Sequence, residues 1–91
     1  MLSAALERHP NDTALNIQLG RLRLRTGAAE QALVIFDRVL ARAPNNADAL
    51  DGRGVALDLL DRPAEAQQSY QAARAVAPND MRIASNLAFS L

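Results

Sequence analysis

Apolar residues recur along this chain with helical spacing, and similar punctuation interrupts them each time. Leu15, Leu19 and Leu22 stand at i, i+4 and i+7, one face of a helix. Asp12 precedes them with a carboxylate suited to cap free backbone N–H groups. Thr26-Gly27 closes the segment, the glycine supplying a left-handed residue past the last turn. A second segment begins near Ala29 and carries Ala32, Leu33, Phe36, Val39, Leu40 and Ala43 as one wide apolar stripe, stopped by Pro44. The order then repeats. Asn46 is the cap, Leu50, Ala56 and Leu57 point inward, and Asp61 takes the turn. Pro63 sits near the first position of the next helix, where a missing N–H does no harm. Ala66, Tyr70, Ala73 and Ala77 form its inner stripe before Pro78. A last helix follows Asn79-Asp80 with Ile83, Leu87 and Leu91. Residues 2–9 read as the tail of an earlier second helix, because Leu2, Ala5 and Pro10 fall on the phase of Phe36, Val39 and Pro44. The pattern predicts about six helices.

The punctuation has a fixed period. Pro-Asn occurs at Pro10-Asn11, Pro44-Asn45 and Pro78-Asn79, and both spacings are 34 residues. Laying residues 11–44 over 45–78 gives the identities Asn11/Asn45, Gly20/Gly54, Ala32/Ala66, Ala41/Ala75, Ala43/Ala77 and Pro44/Pro78, with Phe36 on Tyr70. Gly20 and Gly54 lie mid-helix, where glycine costs about 1 kcal/mol against alanine. Such a residue at the same repeat position twice removes a steric barrier. Ala32 and Ala66 are expected to be the small residues facing them, and Phe36 and Tyr70 to fill the wedge between neighbouring hairpins.

Composition narrows the picture. Ala and Leu make up over a third of the 91 residues, while Val, Ile, Phe and Tyr are few, which excludes a β-sandwich or barrel. At 49% hydrophobic and zero net charge the chain is not a disordered one. No apolar run approaches the length of a membrane span, and no secretory signal is visible. The absence of Cys removes thiol catalysis and disulfides. Ten Arg balance ten acids, and Arg21, Arg23 and Arg25 cannot share one helix face, so no nucleic-acid footprint emerges. A single small domain buries too little surface for an enclosed pocket, which favours an elongated or associating module.

In these residues the chain resembles the tetratricopeptide repeat, whose signature runs W-x2-L-G-x2-Y…A-x3-F…P. The first unit offers Leu19, Gly20, Ala32, Phe36 and Pro44, and departs with Asn16 and Arg23. The second offers Gly54, Ala66, Tyr70 and Pro78, and departs with Leu50, Arg53 and Leu57. The Arg53 stem is expected along the hairpin with its head in solvent. The resemblance implies an all-α, right-handed solenoid of antiparallel helical hairpins in a single domain, 1–91. Residues 1–10 end a preceding second helix, 11–44 are repeat 1, 45–78 repeat 2, and 79–91 the first helix of an incomplete repeat 3. A narrower resemblance rests on Gly54-Val55-Ala56-Leu57-Asp58, Ala64-Glu65-Ala66-Gln67 and Asn86-Leu87-Ala88-Phe89-Ser90-Leu91. These strings are similar to the repeats of TadD lipoproteins of the tight-adherence (Flp) pilus assembly system. That would imply a periplasmic, outer-membrane-associated role and, lacking the lipobox Cys and signal peptide, an excised fragment.

No catalytic constellation is present. His9 is a lone histidine at a helix C-terminus, where its charge complements the dipole, and it cannot build a metal site by itself. The pairs Asp48/Asp51 and Asp58/Asp61 lack a pocket to tune them and read as helix-surface charge. Gly20, Gly27, Gly52 and Gly54 form no phosphate loop. The reading is therefore non-enzymatic, with no cofactor and no metal. By the resemblance, the first helices line a concave groove that takes a protein or peptide partner. Transferred positions are Ile17, Arg21, Leu24 and Arg25 in the first unit, Asp48, Asp51, Val55 and Asp58 in the second, and Arg82 and Phe89 in the third. Apolar and charged side chains alternate there, which suits an amphipathic ligand. The carboxylate clamp of chaperone-binding members is absent, since Ile17, Arg21 and Gly52 stand in three of its five places. Arg21 and Arg25 are expected opposite Asp51 and Asp58. The alternative reading is a self-assembling piece whose main contacts run from repeat to repeat. It draws on the final helix, with Ile83, Leu87 and Leu91 on one stripe, and on Leu2 and Leu6 of the first. These apolar faces lead to an expected self-association through the terminal helices.

Overall fold

The computed structural model describes residues 2–90, and among these the side chains of all but residues 2, 3, 6, 89 and 90. Six helices follow one another: α1 (Leu2–Arg8), α2 (Thr13–Arg25), α3 (Ala29–Arg42), α4 (Ala47–Leu59), α5 (Pro63–Val76) and α6 (Met81–Ser90). There is no strand among the described residues. Helices α2 and α3 form one hairpin and α4 and α5 the next, with α1 packed on α2 and α6 on α5. The stack extends 38 × 24 × 20 Å.

Capping fixes where each hairpin begins and turns. The Asp12 carboxylate accepts from the Leu15 amide at 3.0 Å, and the Asn46 side chain accepts from the Ala49 amide at 3.0 Å. Both first helices end in the same two-bond motif. The Ala28 amide donates to the Arg23 carbonyl and the Gly27 amide to the Leu24 carbonyl. In the next unit Arg62 donates to Leu57 and Asp61 to Asp58. The left-handed residue is Gly27 in one, with φ 81°, and Asp61 in the other, with φ 58°.

Aromatic rings set the spacing between helices. Phe36 is fully buried and Tyr70 nearly so, at 2%. A Cβ added at Gly20 would come within 2.6 Å of the Phe36 ring, and one at Gly52 would overlap the same ring. The ring of α3 is thus held between α2 of its own hairpin and α4 of the next. A Cβ at Gly54 would come within 2.5 Å of Tyr70. The glycines therefore admit a ring; Ala32 and Ala66, expected to oppose them, are buried beside the rings. One further exchange distinguishes the units. Leu24 packs on the cluster holding Phe36, and its repeat equivalent Asp58 accepts the Tyr70 hydroxyl at 3.0 Å. Burial first, and then this bond to a carboxylate, push the Tyr70 hydroxyl well above the usual phenol range.

Two expectations about side-chain direction are corrected. The buried residues of α2 are Asn16, Ile17 and Gly20, while Leu15 and Leu19 are half-buried and Leu22 is exposed. The hairpin partner α3 meets the side of α2 that carries Gly20. Asn16 is accommodated because its side-chain amide donates to the Pro10 and Asp12 carbonyls at 3.0 and 2.9 Å. The Arg53 head is only partly in solvent, its side chain 27% exposed. It donates to Asp37 of α3 and to Ser69 of α5, both at 2.7 Å, clamping three helices. Ser69 is buried, and this bond gives its hydroxyl a partner.

Candidate binding surface

Helices α2, α4 and α6 lie side by side along one face, and a polar ladder crosses them. One carboxylate oxygen of Asp48 accepts from Arg21 of α2 at 3.1 Å and from Arg82 of α6 at 2.9 Å. Arg82 also holds Asp80 at 3.0 Å. These bonds drive the Arg82 guanidinium further toward its charged form, and they lower Asp80 below the ordinary carboxylate value. A second rung joins α4 to α6: the Asn86 amide donates to both oxygens of Asp51, at 2.9 and 3.2 Å. Burial raises the Asp51 carboxyl, and the Asn86 bond and Arg82 pull against that rise.

The expected opposition of Arg21 to Asp51 is therefore replaced by Arg21 to Asp48. Residue 48 sits one helical turn nearer the N-terminus of α4, and that turn is the one within reach of the Arg21 guanidinium. Asp51 accepts from Asn86, and Asp58 accepts the Tyr70 hydroxyl among its contacts.

A hollow of about 380 Å3 opens at the N-terminal ends of α2 and α4, lined by Thr13, Ala14, Ile17, Gln18, Arg21, Asn46 and Asp48. Ile17 is mostly core, 7% exposed, and reaches this hollow as well. Arg21, Leu24 and Arg25 line a second hollow on α2 with Gln18 and Leu22, of about 560 Å3. Val55 is half-buried and packs against the cluster of Leu57, Ala66 and Tyr70. Arg82 belongs to the ladder. The Phe89 side chain lies outside the described residues, as do those of Leu2, Leu6 and Leu91.

Sequence reasoning missed Thr13 and Asp80, and it read Asn46 as a cap without placing it at the hollow. Asp80 was legible in principle, since it shares the repeat position of the caps Asp12 and Asn46. Among the described residues no group of three or more His, Cys, Asp or Glu is placed to hold a metal ion. No described helix is long and apolar enough to cross a membrane.

Residues 1–54 match the family model of the tetratricopeptide repeat. The chain belongs to the tetratricopeptide repeat (TPR) family. Its hairpins form the all-α, right-handed TPR solenoid. The uncharacterized protein y4yS of Sinorhizobium fredii (strain NBRC 101917 / NGR234) is 31% identical over 86 residues, covering 94% of this chain and 47% of that protein. The chain thus spans about half the length of the curated relative it matches. Among solved structures, the first TPR domain of the human RPAP3 protein has a TM-score of 0.90 at 18% identity, over 98% of this chain and 70% of that one. MamA from Desulfovibrio magneticus RS-1, from residue 41 to its end, has a TM-score of 0.86 at 24% identity, over 98% and 50%. At these identities the two structures show the shared TPR fold. The narrower similarity to TadD lipoproteins finds no support in these matches.

TPR modules generally mediate protein–protein interaction, and the family is typically non-enzymatic.

Proposed function

We propose that this TPR chain is a protein–protein interaction module that takes a peptide along the face formed by α2, α4 and α6. The observation that carries this reading is the shared carboxylate of Asp48. By holding Arg21 and Arg82 at once, it fixes a polar rim over a hollow floored by Ile17. A rim ordered before binding spares the ligand the entropy of ordering it. The alternation of Ile17 with Arg21 and Asp48 suits an amphipathic peptide.

Display selection of random peptides on the immobilised chain, followed by anisotropy measurements on the enriched sequences, tests this. Saturable binding that falls about tenfold or more in Asp48→Ala is expected. Enriched peptides whose affinity ignores Asp48 and Arg21 would contradict it.

A second reading is self-association through the terminal helices. It is favoured by the exposure of Met81 of α6, 78%. Sedimentation over a concentration range separates the two. Association that grows with concentration and weakens in Met81→Glu supports the second reading, and a chain that stays monomeric excludes it.

A further inference from the structure

The loop between α1 and α2 meets α3 at a narrow cleft separate from the Asp48 hollow, and Thr13 alone borders both. Its polar walls are Asn11 of the loop, Thr13 and Asn16 of α2, and Arg38 and Arg42 of α3, beside the buried Val39. Asn16 is 6% exposed, and its amide holds the Pro10 and Asp12 carbonyls. Those bonds fix the loop against α2.

The molecule contains the same cleft a second time, one repeat later, with different chemistry. Thr13, Asn16, Arg38 and Arg42 are replaced there by Ala47, Leu50, Ala72 and Val76. The fold therefore forms this place from apolar residues, and packing demands neither guanidinium. The second cleft also follows a complete second helix, α3. Pro44, Asn45, Ala72 and Val76 are exposed there all the same. A full preceding helix thus leaves this part of the hairpin open to solvent.

The charge in the first cleft is not neutralised from within. Arg38 and Arg42 are both exposed and stand one turn apart on α3. Neither takes part in an ion pair among the described residues. No acid lines the cleft. The acids next to it along the chain are engaged elsewhere, Asp12 with the Leu15 amide and Asp37 with Arg53.

We infer that this cleft binds a phosphate group, as inorganic phosphate or as a phosphomonoester. A phosphomonoester carries about −1.5 to −2 charge at neutral pH, which matches two guanidiniums, whereas one carboxylate leaves a positive charge over. Guanidinium forks pair with phosphate oxygens two at a time. The space between the walls is about 10 Å3, room for a single oxygen or water. One phosphate oxygen enters it, toward Asn11 and Thr13, and the others stay at the mouth with Arg38 and Arg42. The site stands independently of the peptide-binding reading of the concave face.

The test titrates the chain with inorganic phosphate at constant ionic strength and follows backbone amides and arginine side-chain N–H signals. Saturable shifts are expected at Asn11, Asn16, Arg38 and Arg42, with Asn45 and Leu50 of the second cleft unmoved. Acetate should bind about tenfold or more weakly than phosphate. Raising the salt should weaken both. Arg38→Gln and Arg42→Gln should each lower phosphate affinity by about tenfold, with helicity by circular dichroism unchanged. Arg74→Gln, at an exposed arginine of α5, should have no effect. A phosphoserine peptide identifies the source. If it shifts the same residues and binds more tightly than inorganic phosphate, the phosphate belongs to a modified protein; if it binds no more tightly, the ligand is the free anion or a small ester. Both results support the site. Parallel shifts in the two clefts, acetate binding as well as phosphate, or indifference to both arginine substitutions would overturn it.

Discussion

The ring of Phe36 rests against the backbone of Gly52, sixteen positions along the chain and in the next hairpin. This contact joins the two TPR units, and it leaves no room for a single added carbon. Replacing Gly52 by Ala gains helix propensity, worth about 1 kcal/mol at most. It also forces the buried ring to move, which typically costs about 1–3 kcal/mol. Gly52→Ala should therefore lower stability in urea unfolding. Phe36→Leu in the same chain should couple favourably with it, because the smaller side chain leaves space for the Cβ. A Gly52→Ala protein more stable than the parent would contradict the ring placement.

The left-handed residues make a paired prediction. Gly27 and Asp61 occupy the same turn position one repeat apart, with φ 81° and 58°. A Cβ in this region is strained, less so for Asp than for most residues. Asp61→Gly should gain about 0.5 kcal/mol after the added freedom of the unfolded glycine is counted, and Gly27→Ala should lose about 1 kcal/mol. Thermal unfolding of both variants checks this, and the opposite signs are the result to look for.

These positions mark what the sequence made legible. Asp12, Asn46, Gly27 and Pro63 act at chain ends of helices, where local chemistry decides the outcome whatever packs around it. The 34-residue period then carried the fold. The inward side of α2 was not legible. Its leucines and isoleucine point several ways, and a first helix is contacted by more than one neighbour, so no single polar face marks the outside. The Arg21–Asp48 pairing was missed for a related reason: the offset between α2 and α4 depends on how hairpins tilt, and one turn of offset moves the partner from residue 51 to residue 48.

Arg53 and Ser69 offer a test by exchange. Their equivalents one repeat earlier are Leu19 and Ile35, an apolar pair. Arg53→Leu alone removes the bond to the buried Ser69 hydroxyl and the ion pair with Asp37. It should cost about 1–2 kcal/mol. Arg53→Leu with Ser69→Ile recreates the first-unit pair and should recover about 1 kcal/mol of that loss. Strict additivity in the double-mutant cycle would mean that the two side chains do not meet.

Asp51 supplies the pH dependence. Its carboxyl lies above the ordinary value of 3.8, burial being the main cause. Between that value and its raised one the folded chain binds more protons than the unfolded chain. Its share of stability therefore falls as pH rises through the window. Asp80, lowered by Arg82, acts in the opposite sense, its share being lost as pH falls through the lowered value. Asp51→Asn keeps an oxygen for Asn86 and removes the titrating group. Its stability relative to the parent should improve as pH is raised from 3 to 7. A difference independent of pH would contradict the burial of Asp51.

The measurement that bears most directly on the central claim is a map of backbone amide shifts with the tightest peptide recovered by display. The account predicts that the perturbed amides gather on α2, α4 and α6, around Ile17, Arg21, Asp48 and Arg82, and that Asp48→Ala abolishes the pattern. Shifts concentrated instead on the outer surfaces of α3 and α5 would contradict it.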